Sequence, residues 1–384
     1  MNRRTFLAST AGLSLALAAG CQRAVADVTV AMLEGSVPVP LIKTFQRQQM
    51  KTGQVGITAM ASLLKLFTLL QTWQTQTQAA SSEPSPSARS APPPANWVTL
   101  GDYWLAPAIQ QGLIQPIDVA PLPNWADLPP VWSPLVQRNP QGNLAPAASV
   151  WGIPYRWSSL GILYDSARLK AKDTPLATWQ DLLHPDLTRR VILPDHPRLV
   201  IGLGLQAMGA SANVENPSGV NGLEDFLQAL HGQVRTYSSD RYLEPLMIGD
   251  VTAVVGWAKD MLPALQQRRT LRLVSPPAGT LASADLWVQP QATPLPSALA
   301  NAWLNFCLGG DFATQMAIYS QGLSPRLWGI AAGDVPEVLQ SQQGVLAATS
   351  EPASSEFLHP LSDAAQTSYG ELWQRLRQPG TATG

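Results

Sequence analysis

The side chains able to do acid–base, nucleophilic or metal chemistry in this 384-residue chain are few or dispersed. There are four histidines, two cysteines and 26 carboxylates. His184, His196, His231 and His359 stand far apart, without the His/Cys/carboxylate spacing that closes a zinc site. No Gly-x-Ser-x-Gly elbow, P-loop or Gly-x-Gly-x-x-Gly following a strand is present. The residues therefore point to no catalytic group, no metal and no cofactor. Cys307 lies in the apolar run Trp303–Leu308 and reads as a small buried hydrophobe. Two cysteines cannot build a disulfide framework.

Cys21 has a different setting. Asn2-Arg3-Arg4-Thr5-Phe6-Leu7 is a positive segment, Leu13 to Ala19 a short apolar one, and Ala18-Ala19-Gly20 supplies small residues before Cys21. Residues 1–20 read as a signal peptide, too short for a membrane span. Arg3-Arg4 with Phe6-Leu7 resembles a twin-arginine signal, and an ordinary Sec signal carrying two arginines accounts for it equally. Small residues before a cysteine resemble a bacterial lipobox, although Ala18 stands where Leu is commoner. Lipid attachment at Cys21 is expected, with residues 21–27 as a linker. Either route puts the mature protein outside the cytoplasmic membrane, in the periplasm and held to the membrane by its lipid.

Composition narrows the partners. A formal net charge of −1 leaves no basic stripe for nucleic acid. Hydrophobic residues make up 45% and charged residues only 13%, so Gln, Ser, Thr and Asn must carry solubility. A chain of this length can bury a large core and is expected to divide in two.

The elements that would position a site alternate. Asp27 to Leu33 reads as a strand, Pro38 to Lys51 as a helix, Gln54 to Met60 as a strand, and Ser62 to Trp73 as a helix. Strand–helix alternation argues for an α/β unit with a largely parallel sheet. Gln74 to Ala95 changes to Gln, Thr, Ser, Ala and Pro and reads as a disordered insertion. Asn96 to Leu100 resumes the sheet and is followed by Gly101-Asp102-Tyr103-Trp104. Open α/β sheets bind ligands at the carboxyl ends of strands, which makes Tyr103 a candidate contact. Trp104 reads instead as packing under the helix Leu105 to Gln111.

Trp151-Gly-Ile-Pro-Tyr-Arg-Trp reads as a strand, with Pro154 suited to an edge or a crossing. Gly161 to Tyr164 reads as a second, buried strand. Thr178 is placed to cap Trp179–Leu183, Val191 to Leu193 is a strand, and the helix Leu199 to Met208 is closed by Gly209. The outer helix Gly219 to His231 and the strands Asp250 to Gly256, Leu271 to Val274 and Ala282 to Val288 follow. Helices Pro296–Leu308, Asp311–Tyr319 and Ser362–Arg377 complete the chain.

The ordered set Trp-Gly-Ile-Pro-Tyr-Arg-Trp-Ser-Ser-Leu-Gly-Ile, Thr-Trp-Gln-Asp-Leu-Leu-His-Pro and Arg-Arg-Val-Ile-Leu-Pro-Asp resembles the spermidine/putrescine-binding receptors of ABC importers. The likeness is collinear from about Val28 to Arg377. It implies an α/β, two-lobed type 2 periplasmic-binding-protein fold, with an interlobe ligand cleft and hinge crossings. The first lobe would hold residues 28–151 and 282–333, with 74–95 inserted. The second would hold residues 152–281 and 334–384. The implied partners are a small polyamine or other amine and a membrane permease, and the implied state is a monomer.

The same resemblance proposes ligand contacts. Glu34 follows the first strand, Ser239 and Trp257 fall on contacting positions of the second lobe, and Asp285 falls on an aspartate that pairs a ligand ammonium. Each has a blander reading: Trp257 as a core residue at a strand end, Asp285 as a turn acid. The family's second-lobe acids are replaced by His196 and Leu199, with Asp195 one residue earlier as a substitute. His196 is the sixth candidate, and a hydrogen-bonded loop histidine is its alternative. Ser283 stands where a tryptophan is expected. A scaffold lipoprotein that has lost its ligand, or a receptor for a non-polyamine solute, remains the competing function.

Overall fold

The computed structural model describes residues 26–80, 93–169, 175–320, 322–340 and 355–378. The expected signal peptide, Cys21 and most of the linker lie outside the described residues, as does the middle of the insertion.

Among the described residues, eleven strands alternate with helices. They are β1 (Val28–Leu33), β2 (Val55–Met60), β3 (Trp97–Gly101), β4 (Ile114–Gln115), β5 (Ile153–Asp165) and β6 (Val191–Leu193). Then come β7 (Val234–Tyr237), β8 (Ala253–Trp257), β9 (Leu271–Val274), β10 (Thr280–Pro290) and β11 (Ser355–Phe357). In the first lobe β1 pairs in parallel with β2 and β3, and β3 pairs antiparallel with β10. In the second, β6 pairs in parallel with β7 and β8, while β8 and β9 both run antiparallel to β5.

Two long strands belong to both lobes. Sequence reading separates Trp151–Trp157 from Gly161–Tyr164, yet the structure joins them in one 13-residue strand, β5. Its first half, Ile153 to Ser159, pairs with β10; its second half, Leu160 to Tyr164, pairs with β8. Hydrogen bonding is thus continuous through the crossing rather than split into two sheets. Pro154 survives inside β5 because the ladder shifts register opposite Asp285 and Leu286, and a bulge needs no donor there.

Packing separates where the sheet does not. One hydrophobic core gathers Val30, Phe45, Trp97, Trp132, Tyr155, Trp287 and Trp303. A second gathers Leu160, Ile162, Trp179, Val191, Leu203 and Val255, and a third covers the other face of the same strands with Leu163, Ile192 and Val254. Successive side chains along β5, β6 and β8 point to opposite faces, and both faces are covered, so the second half of β5 (Leu160 to Tyr164), β6 and β8 are apolar throughout. Val335, Leu339 and Phe357 pack into the first core, whereas Leu358, Leu361 and the last helix, through Tyr369, Leu372, Trp373 and Leu376, pack against the second. Along the chain, packing passes from the first core at Phe357 to the second at Leu358.

The helix expected to end at Trp73 runs from Leu63 to Ala80, so residues 74–80 of the expected disordered insertion are ordered. Gln and Ala are good helix formers, and the threonines turn their hydroxyls back on the helix. Thr68, Thr72, Thr75 and Thr77 each donate to the carbonyl four residues earlier, at 2.9 to 3.0 Å. The polar composition marks exposure here, not disorder.

A cavity between the lobes

Six segments converge on a cavity of about 170 Å³ between the two cores. Asp102 and Tyr103 come from the turn Asp102–Trp104 that ends β3, and Ala282 and Ser283 from β10. His196 and Leu199 come from the start of the helix Pro197–Ala207, Ser239 from the loop after β7, and Trp257 from the end of β8. Leu358, just past β11, completes the lining. Apart from Ala282 and Ser283, near the start of β10, these positions follow or end strands at their carboxyl ends, where a parallel sheet leaves its loops and helix starts facing open space.

Of the six residues proposed from sequence, the structure brings four together here: Tyr103, His196, Ser239 and Trp257. Tyr103 is 47% exposed. Trp104 turns away and stacks on Phe67 at 4.4 Å between ring centroids, so it packs on the helix Leu63–Ala80 rather than under the following one. Trp257 is half-buried at the strand end, beside Leu160 of β5. The Ser239 hydroxyl accepts the Asp195 backbone N–H at 3.1 Å, which ties its loop to the start of the neighbouring helix. The His196 imidazole is held below its ordinary pKa by desolvation and by the nearby Arg198 charge. It is therefore neutral at pH 7.

The other two lie elsewhere. Glu34 is exposed and does not line the cavity. Asp285 is buried in the β5–β10 ladder directly opposite Arg156, whose Nε donates to its Oδ2 at 2.6 Å. Cross-strand neighbours have their Cβ atoms about 5 Å apart, so a carboxylate and a guanidinium removed from water in register find each other first. Asp285 is held in this ion pair and is not among the residues lining the cavity with Trp257. Asp195, the proposed substitute acid, is exposed and paired with Arg377 of the last helix at 2.5 Å.

The acid in the cavity is Asp102, which sequence reading passed over for its neighbour Tyr103. It is 4% exposed. The Ser283 hydroxyl donates to its Oδ1 at 2.7 Å, and the Ala284 backbone N–H donates to the same oxygen at 3.1 Å. Burial pushes its pKa up to about 6, against the opposing pull of these two hydrogen bonds and the more distant Arg138 charge. None of the ion pairs among the described residues includes it. The available signal was its place: first residue after a buried strand, in the loop already singled out.

The cavity thus joins one desolvated carboxylate, an indole, neutral hydroxyls and an imidazole to leucine side chains. No group of three or more possible metal ligands occurs among the described residues.

Comparison with known proteins agrees with this geometry. Residues 97–343 match the family described as bacterial extracellular solute-binding protein. The putrescine-binding periplasmic protein PotF of Escherichia coli K12 is 26% identical over 194 residues, covering 47% of this chain and 51% of PotF. This chain therefore spans about half the length of that relative. The spermidine/putrescine-binding periplasmic protein of Salmonella typhimurium is 25% identical over 287 residues, 72% of this chain and 75% of that protein. The crystal structure of the spermidine/putrescine transporter substrate-binding protein PotD of Streptococcus pneumoniae superposes with a TM-score of 0.74. It shares 19% identity, over 91% of this chain and 98% of that one, and so speaks for the fold. With more than half its length matched to that family and a solute-sized cavity between two α/β lobes, the chain belongs to the bacterial extracellular solute-binding proteins.

Proposed function

We propose that this protein is the extracytoplasmic receptor of an ABC importer, which captures a small amine-bearing solute between its lobes and delivers it to a membrane permease. The observation that carries the reading is Asp102, a buried carboxylate at the cavity wall with no cation paired to it. An unpaired acid in such a place is held at a cost, and an ammonium ligand removes that cost by replacing the lost hydration. Trp257 adds an indole face, over which a cation gains about 0.5 to 2 kcal/mol. A neutral His196 offers no repulsion. The putrescine- and spermidine/putrescine-binding relatives support an amine as the ligand class. In this reading the protein binds and releases its solute unchanged, and acts as a monomer.

A thermal-shift screen of the mature protein over amines, amino acids and sugars tests it. A ligand at 100 to 1,000 times its Kd adds roughly 3 to 4 kcal/mol of stability. A shift confined to amines supports the proposal; a shift with sugars or amino acids alone moves the ligand class. No shift with any compound favours the scaffold lipoprotein. Export and anchoring have a separate test. Mass spectrometry of the native protein should find residues 1–20 removed and acyl chains on Cys21, and an unmodified later N-terminus refutes the anchor while leaving the receptor intact.

A further inference from the structure

The lining of the cavity is polarised. Its first-lobe wall carries the Asp102 carboxylate with the Tyr103 and Ser283 hydroxyls. Across from it stand Leu199, Leu358 and Trp257, with His196 and Ser239 as neutral polar groups. Asp102 is the single acid among the lining residues.

Three carboxylates close in sequence to lining residues are engaged. Asp285 is bonded to Arg156 and Asp195 to Arg377. Asp260 accepts the Tyr242 hydroxyl at 2.9 Å and lies 3.4 Å from the Lys259 ammonium. None of the three reaches the cavity lining.

Resting on the amine-receptor reading, we propose that the site selects a small monoamine and discriminates against diamines and longer polyamines. The single ammonium sits against Asp102, Tyr103 and Ser283, and an uncharged tail lies along Trp257, Leu199 and Leu358. An ammonium taken from water is tolerated only where a carboxylate or a full set of acceptors replaces its hydration. A second ammonium at the far end would meet Leu199 and Leu358.

Titration calorimetry of the mature protein with n-butylamine, 1,4-diaminobutane and spermidine tests the proposal. Equal chain length in the first two isolates the second charge. The expected result is n-butylamine at least tenfold tighter than 1,4-diaminobutane, about 1.4 kcal/mol. Leu199→Glu, which adds an acid at the apolar wall, should narrow or reverse that ratio. If 1,4-diaminobutane binds wild type as tightly as n-butylamine or more so, the monoamine proposal fails and the amine receptor stands. Absence of binding by all three amines, alongside a thermal shift with some other solute class, overturns both. The wild-type ratio decides even if the glutamate variant fails to fold.

Discussion

The hydroxyl of Ser283 holds the carboxylate of Asp102 at 2.7 Å, across 181 residues of sequence. The bond joins the turn after β3 to the crossing strand β10, and its acceptor is the one acid in the interlobe lining. It fixes the carboxylate toward the cavity while leaving it without a cation.

Replacing Asp102 by Asn should therefore separate binding from stability. The amide oxygen keeps both accepted hydrogen bonds, so the unliganded protein should be at least as stable as wild type in urea at pH 7. Amine affinity, read by calorimetry, should fall a hundredfold or more, since losing one partner of a desolvated pair costs about 3 to 5 kcal/mol. Unchanged affinity would remove Asp102 from the site.

The raised pKa of Asp102 gives pH dependence of a defined sign. In the folded chain the group binds its proton up to about pH 6, whereas unfolded it releases it near 3.8. Between those values the native state holds more protons, so this group's contribution to stability falls as pH rises, by about 3 kcal/mol in all. Asn at position 102 should abolish that difference, measured as wild type minus variant in urea melts from pH 4 to 7. Cation affinity runs the opposite way. It should be full above pH 6 and about tenfold weaker at pH 5, as Asp102 protonates.

Arg156 and Asp285 should behave as a structural pair. Asp285→Asn or Arg156→Met alone leaves one buried charge without its partner and should destabilise the fold by about 3 to 5 kcal/mol. The double variant Asp285→Leu with Arg156→Met should recover most of that loss. For Asp285→Asn, the loss should appear in urea melts, with amine affinity shifting far less than in Asp102→Asn. The reverse pattern would return Asp285 to the ligand.

Trp257→Ala should weaken amine binding by about 0.5 to 2 kcal/mol through the lost cation–π face, up to roughly thirtyfold. Trp257→Phe should retain part of it. Calorimetry on both, at one pH above 6, separates the aromatic contribution from the loss of bulk. An equal loss in both variants would assign Trp257 to packing.

Local pattern determined most of the elements, because periodicity and capping act over a few residues. The strand at Val191–Leu193, the helix from Pro197 and its closure at Gly209, which takes φ +72°, were legible from such signals. The family followed from the order of motifs along the chain, and Tyr103 from its place after a strand. The site's charge was not legible. Asp285 and Asp102 look alike in sequence, each an acid beside apolar residues, and only the tertiary ladder sets Arg156 opposite Asp285 and leaves Asp102 unpaired. Pairing of charges depends on distance in space between residues 129 apart, which no local window contains. The fusion of two expected strands into β5 has the same origin: Pro154 breaks a local strand pattern, yet a bulge formed with the distant β10 absorbs it.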